Sequence, residues 1–130
     1  MTRLNLYNPY LGDKYTGEWL NNKRSGSGIY TWGEASKFSG DTYIGEFKDN
    51  NMHGYGEYKK KDGSYYRGSY ENNQKSGIGI LFSAKSSEKY EGSFLNDEMD
   101  GSGFYRFANG RKEITFWEMG KNIREIITLD

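Results

Sequence analysis

Four G-x-G triplets, at 26–28, 54–56, 77–79 and 101–103, are the residues of this chain whose type and spacing most suggest chemistry. A glycine-rich turn cradles phosphate when its bare amides lead into a helix N-terminus. None of the four triplets is followed by a helical pattern. Other chemistry has less to build on. His53 is the single histidine and there is no cysteine, whereas a metal site needs several converging ligands. Glu18, Glu46 and Glu57 recur at strand-like positions rather than as an acid–base pair. The expectation is therefore no catalytic residue, no metal and no cofactor. Lys59, Lys60 and Lys61 form the only basic run. It suits a solvated loop or a contact with anionic lipid headgroups, where each basic residue contributes about 1 kcal/mol.

The triplets belong to a longer phrase. YTGEWLNNKRSGSGIY (15–30) returns as YIGEFKDNNMHGYGEY (43–58), YRGSYENNQKSGIGIL (66–81) and YEGSFLNDEMDGSGFY (90–105). The copies start at Tyr15, Tyr43, Tyr66 and Tyr90, so they lie 28, 23 and 24 residues apart. Such a period marks a repeat architecture. Composition agrees: 34% of residues are hydrophobic yet 17% are aromatic, too few aliphatics for a two-layer core. Tyr and Trp bury apolar bodies while keeping a polar tip near water, which suits a thin structure. Eighteen basic residues balance 18 acidic ones, so the footprint of a nucleic-acid binder is missing. No apolar run reaches bilayer-spanning length. The expected location is the cytoplasm, at membrane or cytoskeletal structures.

Each copy reads as a β-hairpin. Asn21-Asn22, Asp49-Asn50, Asn72-Asn73 and Asn96-Asp97 are residue types that tolerate the positive φ of a tight primed turn. Counting from those turns sets Tyr15 opposite Gly28, Gly17 opposite Gly26 and Trp19 opposite Arg24. By the same count Tyr43 meets Gly56, Tyr66 meets Gly79 and Tyr90 meets Gly103. A ring then lies over a residue without a side chain, which offsets the usual cost of glycine in a strand. Alternation puts Tyr15, Gly17, Trp19, Gly26, Gly28 and Tyr30 on one face. The sheet should curl towards it, with about 10 Å of length per repeat.

The architecture expected is all-β: an elongated, single-layer solenoid of antiparallel hairpins. Residues 1–12 form an N-terminal edge or cap in which Pro9 blunts the first strand. Four repeats fill 13–112. Residues 113–130 are a degenerate fifth copy or C-terminal cap. There Trp117 matches Trp19, Met119-Gly120 hold the turn, and Arg124 and Ile126 replace glycines. A short helix through Ile123, Ile126 and Ile127 competes with that cap. The first inter-hairpin loop (31–42) is the longest, and its Trp32 and Phe38 either fold over the stripe or protrude.

The pattern Y-x-G-x-[WFY]-x6-G-x-G-x-Y resembles the MORN repeat (membrane occupation and recognition nexus), over 13 to about 110 and the decayed fifth copy. Leu81 departs from the closing tyrosine, and the first four turns lack the usual glycine. The resemblance implies a stand-alone scaffold, a junctional protein that joins membranes, or an accessory module beside a lipid-kinase or methyltransferase domain.

The residues themselves point to a groove for a protein partner. Trp19, Phe47, Tyr70 and Phe94 face Arg24, Met52, Lys75 and Met99, and these types are enriched at interfaces. Such a groove fits a helical or extended segment. The alternatives are peripheral binding to anionic phospholipid or phosphoinositide, with Lys59, Lys60 and Lys61 as the contact, and an accessory role in a larger enzyme. Stacking on a sugar or choline would need paired aromatics, which are not evident. Unpaired terminal strands make a homodimer plausible.

Overall fold

The computed structural model describes residues 2–8 and 12–123. It is one antiparallel sheet in which every strand pairs with its neighbours in sequence, and no helix occurs among the described residues. Thr2–Asn8 (β1) precedes four hairpins: Asp13–Leu20 and Lys23–Thr31 (β2, β3), Thr42–Lys48 and Asn51–Lys59 (β4, β5), Tyr65–Glu71 and Gln74–Ser83 (β6, β7), and Glu88–Leu95 and Glu98–Arg106 (β8, β9). Lys112–Glu118 (β10) and Lys121–Asn122 (β11) close the array. Pro9, Arg124, Ile126 and Ile127 lie outside the described residues. Ile123 continues no helix; its amide donates to the Phe116 carbonyl at 2.9 Å.

The turns fall where the polar pairs put them. Both residues of each pair have positive φ, from 48° at Asp49 to 72° at Asn50 and Asp97. Met119 and Gly120, at 50° and 81°, repeat the geometry in the fifth copy. The second turn residue also ties one hairpin to the one before it. The Asn50, Asn73 and Asp97 side chains accept from the amides of Arg24, Met52 and Lys75 at 2.7–2.9 Å. Their own amides donate to the carbonyls of the same three residues at 3.0 Å. Glycine would satisfy the turn but not the side-chain tie, which accounts for Asn and Asp there.

The register differs from the count made from the turns. Trp19 does face Arg24, but Gly17 faces Gly28 and Tyr15 faces Tyr30. Glu18 alone stands against Ser25, Gly26 and Ser27, so a bulge of two extra residues lies on the G-x-G strand. The same shift occurs in the other three hairpins. The first glycine of each triplet sits in that bulge with φ between 69° and 90°, a conformation costly for a residue with a Cβ. Gly26 therefore leaves the aromatic face, and its open side is covered by the Glu18 carboxylate. Glu46 does the same over Gly54 and accepts from the Tyr55 amide at 2.7 Å.

The second glycine keeps its expected role by a diagonal route. Gly17, Gly28, Gly45, Gly56, Gly68, Gly79, Gly92 and Gly103 form an unbroken ladder across eight strands. Tyr15 runs along its own strand over this ladder, and its hydroxyl donates to the Glu18 carbonyl at 2.8 Å. Tyr43, Tyr66 and Tyr90 repeat the bond at 2.8–3.0 Å. A Cβ on Gly28 would lie 2.5 Å from Tyr15 Cε1, and one on Gly17 would lie 2.5 Å from the Gly28 Cα. Neither strand has room for a side chain. The ladder ends at Thr115, which faces Gly103, is 1% exposed, and accepts from Trp117 Nε1 at 2.8 Å. A threonine in place of ring and glycine is how the decayed copy caps the stack.

Candidate functional site: the aromatic face

Phe47, Tyr70 and Phe94 stand edge-on between their own repeat's tyrosine and the preceding one. Phe47 is 5.1 Å from both Tyr15 and Tyr43, Tyr70 is 5.4 Å from Tyr43 and 5.1 Å from Tyr66, and Phe94 is 5.1 and 5.3 Å from Tyr66 and Tyr90. Such T-shaped pairs contribute about 0.5–1.5 kcal/mol each beyond area burial. The chain of rings is the core, and Phe47, Tyr70 and Phe94 are only 3–6% exposed. Packed in this way, the three rings hold the sheet, and Phe47 and Phe94 line no groove. Arg24 is also buried, with its guanidinium 4.9 Å above the Tyr30 ring and a bond to the Asn50 carbonyl. The predicted cross-strand pairs Trp19–Arg24, Phe47–Met52, Tyr70–Lys75 and Phe94–Met99 are all present.

Burial pushes the Tyr43, Tyr66 and Tyr70 phenols well above the ordinary tyrosine range. Tyr58 rises for the same reason and because Asp41 accepts its proton. Tyr105 is pushed up to about 12 by burial and by the adjoining Glu88. Tyr43, Tyr58, Tyr66 and Tyr105 each donate a hydrogen bond through the phenol.

A second row of bonds ties each inter-hairpin loop to the face. The buried Asp13 accepts from the Tyr30 hydroxyl at 2.5 Å and, through its other oxygen, from the Gly33 amide at 2.8 Å. Asp41 does likewise with Tyr58 at 2.6 Å and the Lys61 amide at 3.1 Å. Glu88 accepts from Tyr105 at 2.7 Å. Ser64 and Leu81 occupy the equivalent positions in the third repeat, so that phenol–carboxylate bond is missing there; Ser64 Oγ keeps only the loop amide, that of Ala84, at 2.9 Å. The spacing is 17 residues in all three complete pairs. The sequence carried this signal in D-x-Y, D-x-Y and E-x-Y before three repeats and S-Y-Y before the one that lacks the closing tyrosine. Sequence reasoning noted Leu81 and missed its partner.

An open groove of about 920 Å³ lies on the aromatic face over the second and third repeats. Met52, Tyr66, Tyr70 and Leu81 line it from the sheet, and Trp32, Phe38 and Tyr58 line it beside the long first loop. The long first loop folds back, with Trp32 4.6 Å from Tyr30 and 5.1 Å from Tyr58. Phe38 at its tip remains 45% exposed. Of the residues expected to line a groove, Met52, Tyr70 and Lys75 do so; Trp19, Arg24, Phe47, Phe94 and Met99 belong to the packed row beside it. The lysine run is split. Lys60 and Lys61 reach the groove, whereas Lys59 lies on the outer face, 3.2 Å from Glu57. Arg67 is 2.6 Å from the same carboxylate. Although partial burial opposes its ionisation, hydrogen bonds from Lys59 and Arg67 hold the Glu57 carboxyl below its usual range.

Among the described residues no three potential ligands gather around a metal position, His53 included, and no helix is long and apolar enough to cross a membrane. The model of one family, the MORN repeat, matches residues 15–34, 43–65, 66–87 and 90–110. Those spans cover more than half of the chain and begin at the four ring-over-glycine tyrosines. The chain belongs to the MORN repeat family. No curated protein gives a significant match to it. MORN repeats take part in protein and membrane interactions generally, and in this chain their tyrosine, glycine and turn positions carry the sheet described above.

Proposed function

We propose that this MORN repeat chain is a non-enzymatic scaffold that holds a helical or extended segment of a partner protein along its aromatic face. The observation that carries the reading is the open groove lined by Trp32, Phe38, Tyr58 and Leu81. Its rings line open space, unlike the packed row beside it. Aromatic rings with one free face give contact area at little entropic cost, and such anchors dominate binding energy. The setting proposed is cytoplasmic, either as a free array or as an accessory module of a larger enzyme.

A photo-cross-linking residue at Phe38, which lines the groove and is exposed, compared with one at the outer-face Tyr55, tests this in the native cell. The reading expects a discrete protein adduct from the groove position and none from Tyr55. Adducts of equal yield from both positions, or none from Phe38, would contradict it.

A second reading, peripheral binding to anionic phospholipid, draws support from Lys60 and Lys61, which are exposed at the groove's edge. Co-sedimentation with phosphoinositide vesicles across a salt series tests it, because binding by such lysines must weaken as salt rises. Salt-independent binding, or none, removes it.

A further inference from the structure

The groove is not a feature of every repeat. It contains one departure from the repeat pattern: where Tyr30, Tyr58 and Tyr105 each carry a phenol tied to a carboxylate, the third repeat has Leu81 and Ser64, and both line the groove. Leu81 is shorter than a tyrosine and donates nothing, so apolar space opens over it on the aromatic face. The charges around this space are uneven. Lys37, Lys60 and Lys61 stand at the long-loop side, all exposed, and none of them forms an ion pair among the described residues. The Lys61 stem lies against Gly40, which fixes that lysine beside the loop. Two of the three carboxylates in the lining are already engaged. Asp41 accepts from Tyr58 and the Lys61 amide, and Asp97 accepts from the Lys75 amide and pairs with its ammonium at 3.7 Å. Asp62 is the third, so the lining carries four lysines, Lys75 included, against three carboxylates.

We infer that the occupant of this groove is an acidic amphipathic segment: one apolar or aromatic side chain fills the space over Leu81, and carboxylates beside it meet Lys37, Lys60 and Lys61. The inference rests on the scaffold reading and specifies its partner. Electrostatic complementarity at such a rim sets orientation and association rate, so the segment is held in one direction along the groove.

The test pans a random peptide display library on the intact chain and on two variants. Ser64→Asp with Leu81→Tyr installs the bond pattern of the other repeats and fills the space. Lys37→Gln, Lys60→Gln and Lys61→Gln together remove the rim charge. The expected outcome is enrichment of peptides with an aromatic or large aliphatic residue flanked by Asp or Glu. Their synthetic versions should bind about tenfold more weakly to the lysine variant, and weaken with salt, and should lose binding to the filled variant. Enriched peptides that are neutral or basic, yet still lost on the filled variant, would overturn the inference and leave the groove reading standing. No enrichment, or enrichment indifferent to filling the space, would overturn both. Anionic vesicles binding equally to the wild type and the filled variant, without peptide enrichment, would assign the lysines to a membrane instead. Thermal unfolding of both variants accompanies the panning; the filled variant should be at least as stable as the wild type, so lost binding there is not lost fold.

Discussion

The second and third repeats share turn geometry, bulge and ring-over-glycine contact, yet they close differently. Asp41 and Tyr58 close the second repeat with a buried charge-assisted bond; Ser64 and Leu81 leave the third open. The third repeat is no less regular for it. Gly68 pairs with Gly79 as Gly45 does with Gly56, and Tyr66 reaches the Ser69 carbonyl at the distance Tyr43 keeps to Glu46, 2.8 Å. The comparison separates two jobs that the repeat pattern merges. The first tyrosine and the glycine ladder hold the sheet. The closing tyrosine and its carboxylate fill space and pin the loop, and a repeat that drops them gains a place to bind something.

Raising the pH should produce the largest effect and shows how much of the sheet depends on neutral phenols. Phenols whose folded pKa is raised above the ordinary tyrosine value bind their protons more tightly folded than unfolded. Their stabilisation is complete below about pH 10, the ordinary tyrosine value, and is lost as the pH rises from there through the raised folded values, about 12 for Tyr105 and higher for the others. Alkaline titration followed by phenolate absorbance and circular dichroism should show ionisation and unfolding in one cooperative step. Gradual ionisation of a sheet that stays folded would contradict the burial of these rings.

Gly56→Ala and Gly79→Ala come next. Each places a methyl group into a tyrosine ring, and each should cost about 3 kcal/mol or more by chemical denaturation, alike in the two repeats. A clear difference between them would mean that the two repeats are not built the same way. Tyr58→Phe should then cost about 2 kcal/mol, because it leaves the buried Asp41 without its phenol donor. Ser64→Ala should cost less, since Ser64 holds only the Ala84 amide. Equal losses would erase the distinction drawn between second and third repeats. The smallest expected effect is that of Asn73→Gly. It keeps the turn, loses the bond to Met52, and should cost about 1 kcal/mol in a thermal melt.

Much of the fold was legible because turn chemistry repeats in phase. Asn and Asp pairs placed each hairpin, and the ring-and-glycine phrase identified what covers what. The register was not legible in the same way. A count from the turn assumes a regular ladder, and a bulge hides inside the spacing; only the positive φ of Gly26, Gly54, Gly77 and Gly101 exposes it. The same error placed Gly26 on the aromatic face. The site was half legible. Residue types named Phe47 and Phe94 as interface candidates, but type alone does not distinguish a ring packed edge-on between two others from one lining open space. Trp32 and Phe38 depend on how the long loop folds, and that depends on Asp13 and Asp41 holding loop amides. Those bonds connect residues 20 apart, which no local pattern displays.

Proton NMR of the folded chain tests the founding contact most directly. With the rings of Tyr15, Tyr43, Tyr66 and Tyr90 lying across Gly28, Gly56, Gly79 and Gly103, the α protons of those glycines should be displaced far upfield by ring currents. Each should also show a cross-relaxation peak to its own tyrosine's ring protons. Glycine α protons at ordinary strand positions, without those peaks, would contradict the ring-over-glycine sheet and the groove built on it.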